Sequence, residues 1–307
     1  MAATAPGSVG PVRIVSLLPS ATEVLFAVGA GDDVVGVTFE CDYPAEARNR
    51  RIVSTSALPE GLSAAEIDRV VSERMRAGED LYHLDEGALA GLDADLVVTQ
   101  DLCAVCAVDV SVVDDALAHL GCRAEVLTVD PHTLDDVLES VRTLGASTGR
   151  AAAADAIVAD VQQRLAAVKE AVNGMPQPRA LVLEWTDPPF APGHWVPEMV
   201  ERAGGVSALG TAGEKSFRTT WDAVSRANPE VVVVAPCGYH LDAAADLAID
   251  LVPRNVLPAG LPVWAVDANA SFARPGPRLV DGVEALAAVL HPEAVGTPDP
   301  AMARQIA

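Results

Sequence analysis

Short apolar runs recur near positions 12–17, 34–38, 96–99, 125–129, 180–184, 231–235 and 263–266, and stretches of helical period fill most of the intervals between them. This alternation predicts an α/β protein with mostly parallel sheets, because a strand followed by a covering helix returns to run beside its predecessor. A helical stretch from about 134 to 172 interrupts the alternation. Thr133 and Asp136 form a capping signature at its start, the segment from Gly145 to Gly149 splits it in two, and Pro176 and Pro178 stop it. Its second part, from about 150 to 172, runs roughly 33 Å at 1.5 Å per residue. Strand signals lie on both sides of this stretch and none within it, so the expected fold is two doubly wound α/β lobes joined by a single long linker helix. The expected boundaries are a disordered tail over 1–11, an N-terminal lobe over 12–133, a helical linker over 134–177, a C-terminal lobe over 178–292 and a tail over 293–307.

The first strand and helix carry the sharpest local signal. The apolar run ending at Leu18 suits a buried parallel strand, Pro19 breaks it, Ser20 is expected to cap the following helix with Glu23, and Gly29 and Gly31 end that helix. The start of the helix then points out from the carboxyl edge of the strand, where open α/β sheets hold their ligands.

Half of the 307 residues are hydrophobic, enough for one large core or two medium ones. A formal net charge of -22, with Lys169 and Lys215 the only lysines, opposes nucleic acid and anionic membrane surfaces as partners. Pro19, Ser20, Thr22 and Glu23 interrupt the first apolar stretch and no basic segment precedes it, so neither a signal peptide nor membrane insertion is expected. Five cysteines do not make a disulfide framework in a chain of this length and fit a reducing compartment, so the expected location is cytoplasmic, or extracytoplasmic if the chain is exported by another route.

Chemically distinctive residues gather after the strand ends, in PSAT at 19–22, ECDYP at 40–44, QDLCAVC at 100–106, EWTDPPFAPGHW at 184–195, PCGYH at 236–240 and DANASFARPGP at 267–277. Should both sheets face one cleft, Cys41, Cys103, Cys106 and Cys237 converge there, with Trp185, His194, Trp195, Tyr239, Phe272 and Arg274 around them. The Cys103–Cys106 pair is open to three readings: packed thiols, ligands of a thiolate-bound metal, or a redox pair. Rigid prolines around His194 suit a loop that holds aromatic faces against a flat ligand. No dinucleotide, P-loop, nucleophile-elbow or zinc-protease motif occurs, so no enzyme chemistry is nominated and no cofactor is required.

SLLPSATEVLFAVGAGDDVVGVT, DADLVVTQ, the segment from DPPF to MVERAGG, and DANASFARPGPRLVDGVEALAAVL together resemble the substrate-binding proteins of ABC importers for iron chelates, haem or cobalamin. The resemblance covers about residues 12–291, and the ECDYP and DLCAVC segments are similar to those of the cobalamin-binding subgroup. It implies the class III arrangement of two α/β lobes and one long helix, with ligand held in an interlobe cleft. The implied function is non-catalytic binding of a small metal-containing ligand, a corrinoid or an iron chelate, by the substrate-binding component of an importer or a soluble relative. Implied ligand contacts are Ser20, Tyr43, Trp185, Phe190 and Phe272. Permease docking through an acidic residue on each lobe is implied at Asp222, and at Glu86 beside Gly87. The alternative on the same scaffold is an intracellular metal-thiolate or redox protein centred on Cys41, Cys103, Cys106 and Cys237.

Overall fold

A computed structural model gives the fold and describes residues 12–59, 61–77, 79, 81–84, 87–100 and 124–307. The chain divides into two compact units. The first takes in Met1–Pro59, Val71–Asp130 and Thr143–Ala154, the second Glu60–Val70, Pro131–Arg142 and Asp155–Ala307.

The first unit is built on β1 (Ile14–Ser16), α1 (Pro19–Ala27), β2 (Val34–Val37) and β3 (Arg51–Ile52), with β4 (Ser54–Ser56) following. Helix α2 (Ala64–Ala77) begins among the residues of the second unit and ends among those of the first. Strands β5 (Tyr82–Leu84), β6 (Leu96–Thr99) and β7 (Glu125–Thr128) complete the set. A five-stranded sheet runs β3-β2-β1-β6-β7 with every pairing parallel. β1 and β6 are buried throughout, as continuous apolar runs in the middle of a parallel sheet must be, whereas β7 lies at the edge and is partly exposed. Val15, Leu17 and Val97 pack with Leu81, Leu89 and Leu92 in one core.

Ser20 does not cap α1. The helix starts two residues earlier, with Leu18 as an extended N-cap lacking a side-chain bond and Pro19 in the first turn. Proline suits that place, because its fixed φ is already helical and its missing N–H is one that the helix leaves unpaired anyway. Gly29 ends the helix at φ +84°.

The second unit opens with α3 (Leu134–Ser147), which crosses into the first, and α4 (Ala151–Ala171), which starts in the first and continues in the second. The capping signature forms as expected: the Thr133 amide donates to Asp136 Oδ2 at 3.0 Å and the Asp136 amide to Thr133 Oγ1 at 3.1 Å. Gly149, at φ +69°, turns the chain between the two helices. Gly145 allows their close approach, since a Cβ there would lie 2.3 Å from that of Ala154.

Then follow β8 (Arg179–Leu183), β9 (Trp185–Thr186), β10 (Pro189–Ala191), α5 (Val196–Arg202), β11 (Val206–Ser207), β12 (Phe217–Arg218), α6 (Trp221–Arg226), β13 (Val231–Val234) and α7 (Leu241–Leu251). The chain finishes with β14 (Val263–Val266), α8 (Ala268–Ser271), α9 (Leu279–Leu290), α10 (Pro292–Val295) and β15 (Ala303–Gln305). The main sheet runs β11-β8-β13-β14-β15, parallel except for the antiparallel β15, and β12-β10-β9 form a small antiparallel sheet. α4 is tied to α9 by Arg164, whose Nε donates to Glu284 at 2.8 Å and whose Nη2 reaches Asp281 at 2.6 Å.

The last residues are not a free tail. The Val263 amide donates to the Ala307 carbonyl at 3.0 Å, and Ala303, 4% exposed, faces the interior beside Val266. One small apolar residue before two polar ones is too weak a period to announce a strand, but the open edge of β14 supplies the partner.

Candidate functional site

Strand order reverses at one place in each main sheet. In the first unit it reverses between β1 and β6, and in the second between β8 and β13. Connections from the two strands flanking such a point leave in opposite directions and open a crevice at the carboxyl edge. The described loops at these points are those following residues 16, 183 and 234, where the sequence concentrates unusual residues.

In the first unit the edge beside β1 is polar and closed. Thr22 Oγ1 donates to Ser16 Oγ at 2.8 Å, and Cys41 Sγ lies 3.0 Å from Thr22 Oγ1 and 3.4 Å from Thr38 Oγ1. Ser16 and Thr22 are fully buried, and Ser20, Thr38 and Cys41 are each 2% exposed. The Cys41 thiol therefore joins the loop at 38–41 to the start of α1 within a hydroxyl network. Tyr43 is 47% exposed and presents the large aromatic face of this edge.

In the second unit the loop after β8 forms the small antiparallel sheet, in which Trp185 pairs with Phe190 and Phe190 with Arg218. The Trp185 indole donates from Nε1 to the Ala64 carbonyl at 3.1 Å and meets Tyr239 edge-on, with centroids 5.5 Å apart at 73°. The Arg218 guanidinium sits 5.8 Å from the Phe190 centroid and forks onto both oxygens of Asp68 at 2.8 Å, so the first half of α2 is pinned over these aromatics. Edge-to-face contact and a cation over a ring fix aromatic orientation as well as adding attraction.

His194 adopts φ +51° and its amide donates to the Glu214 carbonyl at 2.6 Å. Its ring lies 6.0 Å from that of His132 and 5.7 Å from that of Trp195. Gly193 makes the crossing possible, because a Cβ there would fall 2.1 Å from the Ser216 amide nitrogen. Trp195 and Phe272 are 6% and 2% exposed, and the Trp195 indole donates to the Phe272 carbonyl at 2.7 Å. Arg274 is buried as well. Trp185, Phe190, His194 and Tyr239 stay partly exposed. Burial pushes the Tyr239 phenol above its ordinary pKa, so it stays neutral at physiological pH.

The PCGYH and DANAS loops meet through residues that sequence reasoning passed over. His240 Nδ1 lies 3.1 and 3.2 Å from the two carboxylate oxygens of Asp267, and its Nε2 lies 3.0 Å from the Asn269 amide nitrogen. The Asn269 backbone amide donates to the Tyr239 carbonyl at 3.0 Å. Cys237 is exposed on the same loop. Among the described residues no three His, Cys, Asp or Glu side chains gather in a way that could hold a metal ion. Cys103, Cys106 and Glu86 lie outside the described residues. Asp222 is exposed on α6 and pairs with Arg226 one turn on, at 2.7 Å.

Two doubly wound units whose switch-point loops offer aromatic faces and a few fixed polar groups define a protein built to hold a small molecule, not a residue set for bond making. The family model described as "Periplasmic binding protein" matches residues 14–252, and the chain belongs to that family, one of binding proteins rather than enzymes. Among curated relatives, it is 27% identical over 292 residues to the cobalamin-binding protein of Halobacterium salinarum, covering 92% of this chain and 70% of that one. It is 26% identical over 294 residues to an ABC transporter substrate-binding lipoprotein of Bacillus subtilis, covering 92% and 81%. A solved structure of a periplasmic heme binding protein from Pseudomonas aeruginosa shares the fold with a TM-score of 0.68 at 21% identity, over 95% of this chain and 97% of that one. No helix among the described residues is long and apolar enough to cross a membrane. The expected cytoplasmic location finds no support, since the family is described as periplasmic and the Bacillus subtilis relative is named a lipoprotein.

Proposed function

We propose that this chain is the substrate-binding component of an ABC-type importer and carries a small metal-containing macrocycle, a corrinoid or a haem-like iron chelate, without transforming it. The observation that carries this reading is the aromatic group at the switch point of the second sheet, where Trp185 meets Tyr239 edge-on and Phe190 lies beneath the Arg218 cation. Flat faces of fixed orientation suit a flat, largely apolar ligand, and the neutral Tyr239 phenol and His194 supply polar contacts at its rim. On the first unit's own carboxyl edge, Tyr43, 47% exposed, is the side chain open to a ligand. Relatives named for cobalamin, and a fold shared with a heme binding protein, support the ligand class. The macrocycle is cargo, not a resident cofactor.

In this reading the protein works outside the cytoplasmic membrane and hands its ligand to a permease, with the exposed Asp222 on α6 as one contact. The strongly negative chain would then meet a basic permease surface, and docking would weaken with salt. The test is to titrate the purified chain with aquocobalamin and with haemin while following its melting temperature. One of the two raises it and saturates at one equivalent; failure of both contradicts the reading. Ligand at a hundred times its Kd adds about 2.7 kcal/mol, a shift of several degrees.

A further inference from the structure

We infer that the first half of α2 is a latch over the aromatic loops of the second unit, released and remade each time a ligand enters or leaves them; the inference rests on the reading of those loops as the ligand site. Two polar contacts fasten it. The Trp185 indole donates from Nε1 to the Ala64 carbonyl at 3.1 Å, and Arg218 Nη2 lies 2.8 Å from both carboxylate oxygens of Asp68. Trp185 is the ring that meets Tyr239 edge-on, and Arg218 is the cation beside Phe190. The helix is therefore tied to both parts of the aromatic group, through points one turn apart.

The build of α2 suits a part that lifts. None of its 14 residues is buried, whereas nine of the 12 residues of α9 are. Most of the stability of a helix in a protein comes from packing its apolar face, so a helix packed this lightly opens easily. Its start is also satisfied from within. The Ser63 amide and hydroxyl donate to Glu66 Oε2 at 2.8 and 2.7 Å, and the Glu66 amide donates back to Ser63 Oγ at 3.4 Å. This reciprocal cap needs no neighbour, so the first turn survives leaving the loops. The Asp68 side chain is 15% exposed and that of Arg218 49%, so water screens the pair in part and solvates the guanidinium as the contact breaks.

Asp68 is on this account a positioning residue, which holds α2 through Arg218 and gives the ligand no contact of its own. A latch that is the same with the site filled or empty alters the barrier between those states and not the difference between them. Its loss must speed entry and exit alike and leave affinity where it was.

The test compares the full chain as wild type, D68N and D68E. Asparagine has about the helix propensity of aspartate without the charge, and glutamate keeps the charge. Stopped-flow absorbance with aquocobalamin and, separately, with haemin gives the association and dissociation rates. Hydrogen exchange of the amides at 64–70 reads the opening of α2 with no ligand added. The expected result is a rise of about fivefold in both rates in D68N, with Kd within about twofold of wild type, D68E close to wild type, and exchange at 64–70 faster by a similar factor. Amides of β8 and β13 exchange as in wild type, which separates release of the latch from general loosening. Equal rates in wild type and D68N, or faster exit with entry unchanged, overturn the inference and leave the proposed function standing. Wild-type protein that binds neither probe overturns the proposed function; hydrogen exchange then decides the latch alone, and equal exchange at 64–70 in wild type and D68N overturns it.

Discussion

Trp185 is the side chain on which the proposed binding depends most, since it stays partly exposed, locked by its indole bond to Ala64 and squared against Tyr239. W185A is expected to lower macrocycle affinity about 10- to 100-fold, roughly 1.4–2.8 kcal/mol, while W185F retains most of it. Equilibrium titration with the better of the two probes checks this. Trp195 differs in kind. W195F leaves the Phe272 carbonyl without its buried partner and is expected to cost about 1–3 kcal/mol in urea unfolding. Asp136 links a residue to pH. Burial raises its pKa, but the amides of His132 and Thr133 and the Thr133 hydroxyl outweigh burial and hold it below the ordinary value. A depressed carboxyl stabilises the fold above its unfolded-state pKa of about 3.9 and loses that contribution as pH falls through the folded value. D136N should therefore destabilise by under about 1 kcal/mol at neutral pH, screened at so exposed a place, with the difference shrinking in acid melts as pH falls from about 4 through the lower folded value.

Helices and long buried strands were legible because their periods are long enough to read. The runs at 12–17 and 231–235, the capping pair Thr133 and Asp136 and the break at Gly149 all became structure where the pattern put them. Short strands were not legible. β9, β10 and β12 are two or three residues each, and only their mutual pairing makes them a sheet. β15 is likewise defined by the edge it covers. Ser20 misled because a serine before an apolar period reads as a cap, whereas the preceding proline fitted the first turn better. Gly193 tests the packing of this loop. G193A must displace the backbone at Lys215 and Ser216, since flexible side-chain ends are not what the new Cβ meets. A loss of about 1–3 kcal/mol is expected by denaturant unfolding, together with weaker ligand binding because His194 moves.

At the level of the whole chain, the family and its use as a binding scaffold could be read from the loops after the strands. Which side chains stand open could not, because burial depends on packing that no spacing encodes. Trp195 and Phe272 look like ligand contacts in sequence and lie in the interior, while Trp185 and Tyr239 keep an open face. The His240–Asp267–Asn269 cluster was hidden for another reason. Its members come from loops 27 and 29 residues apart that are brought level only by the parallel register of β13 and β14, Val234 beside Ala265. Sequence order gives no such register. Everything proposed for this chain depends on its taking up a metal macrocycle on the carboxyl-edge loops, and the most direct check is isothermal titration of the purified chain with aquocobalamin and with haemin, repeated on W185A. The account predicts saturable binding of at least one probe at one equivalent per chain, weakened at least tenfold by the substitution. Heat signals indistinguishable from dilution for both probes, or binding of equal strength in W185A, would contradict it.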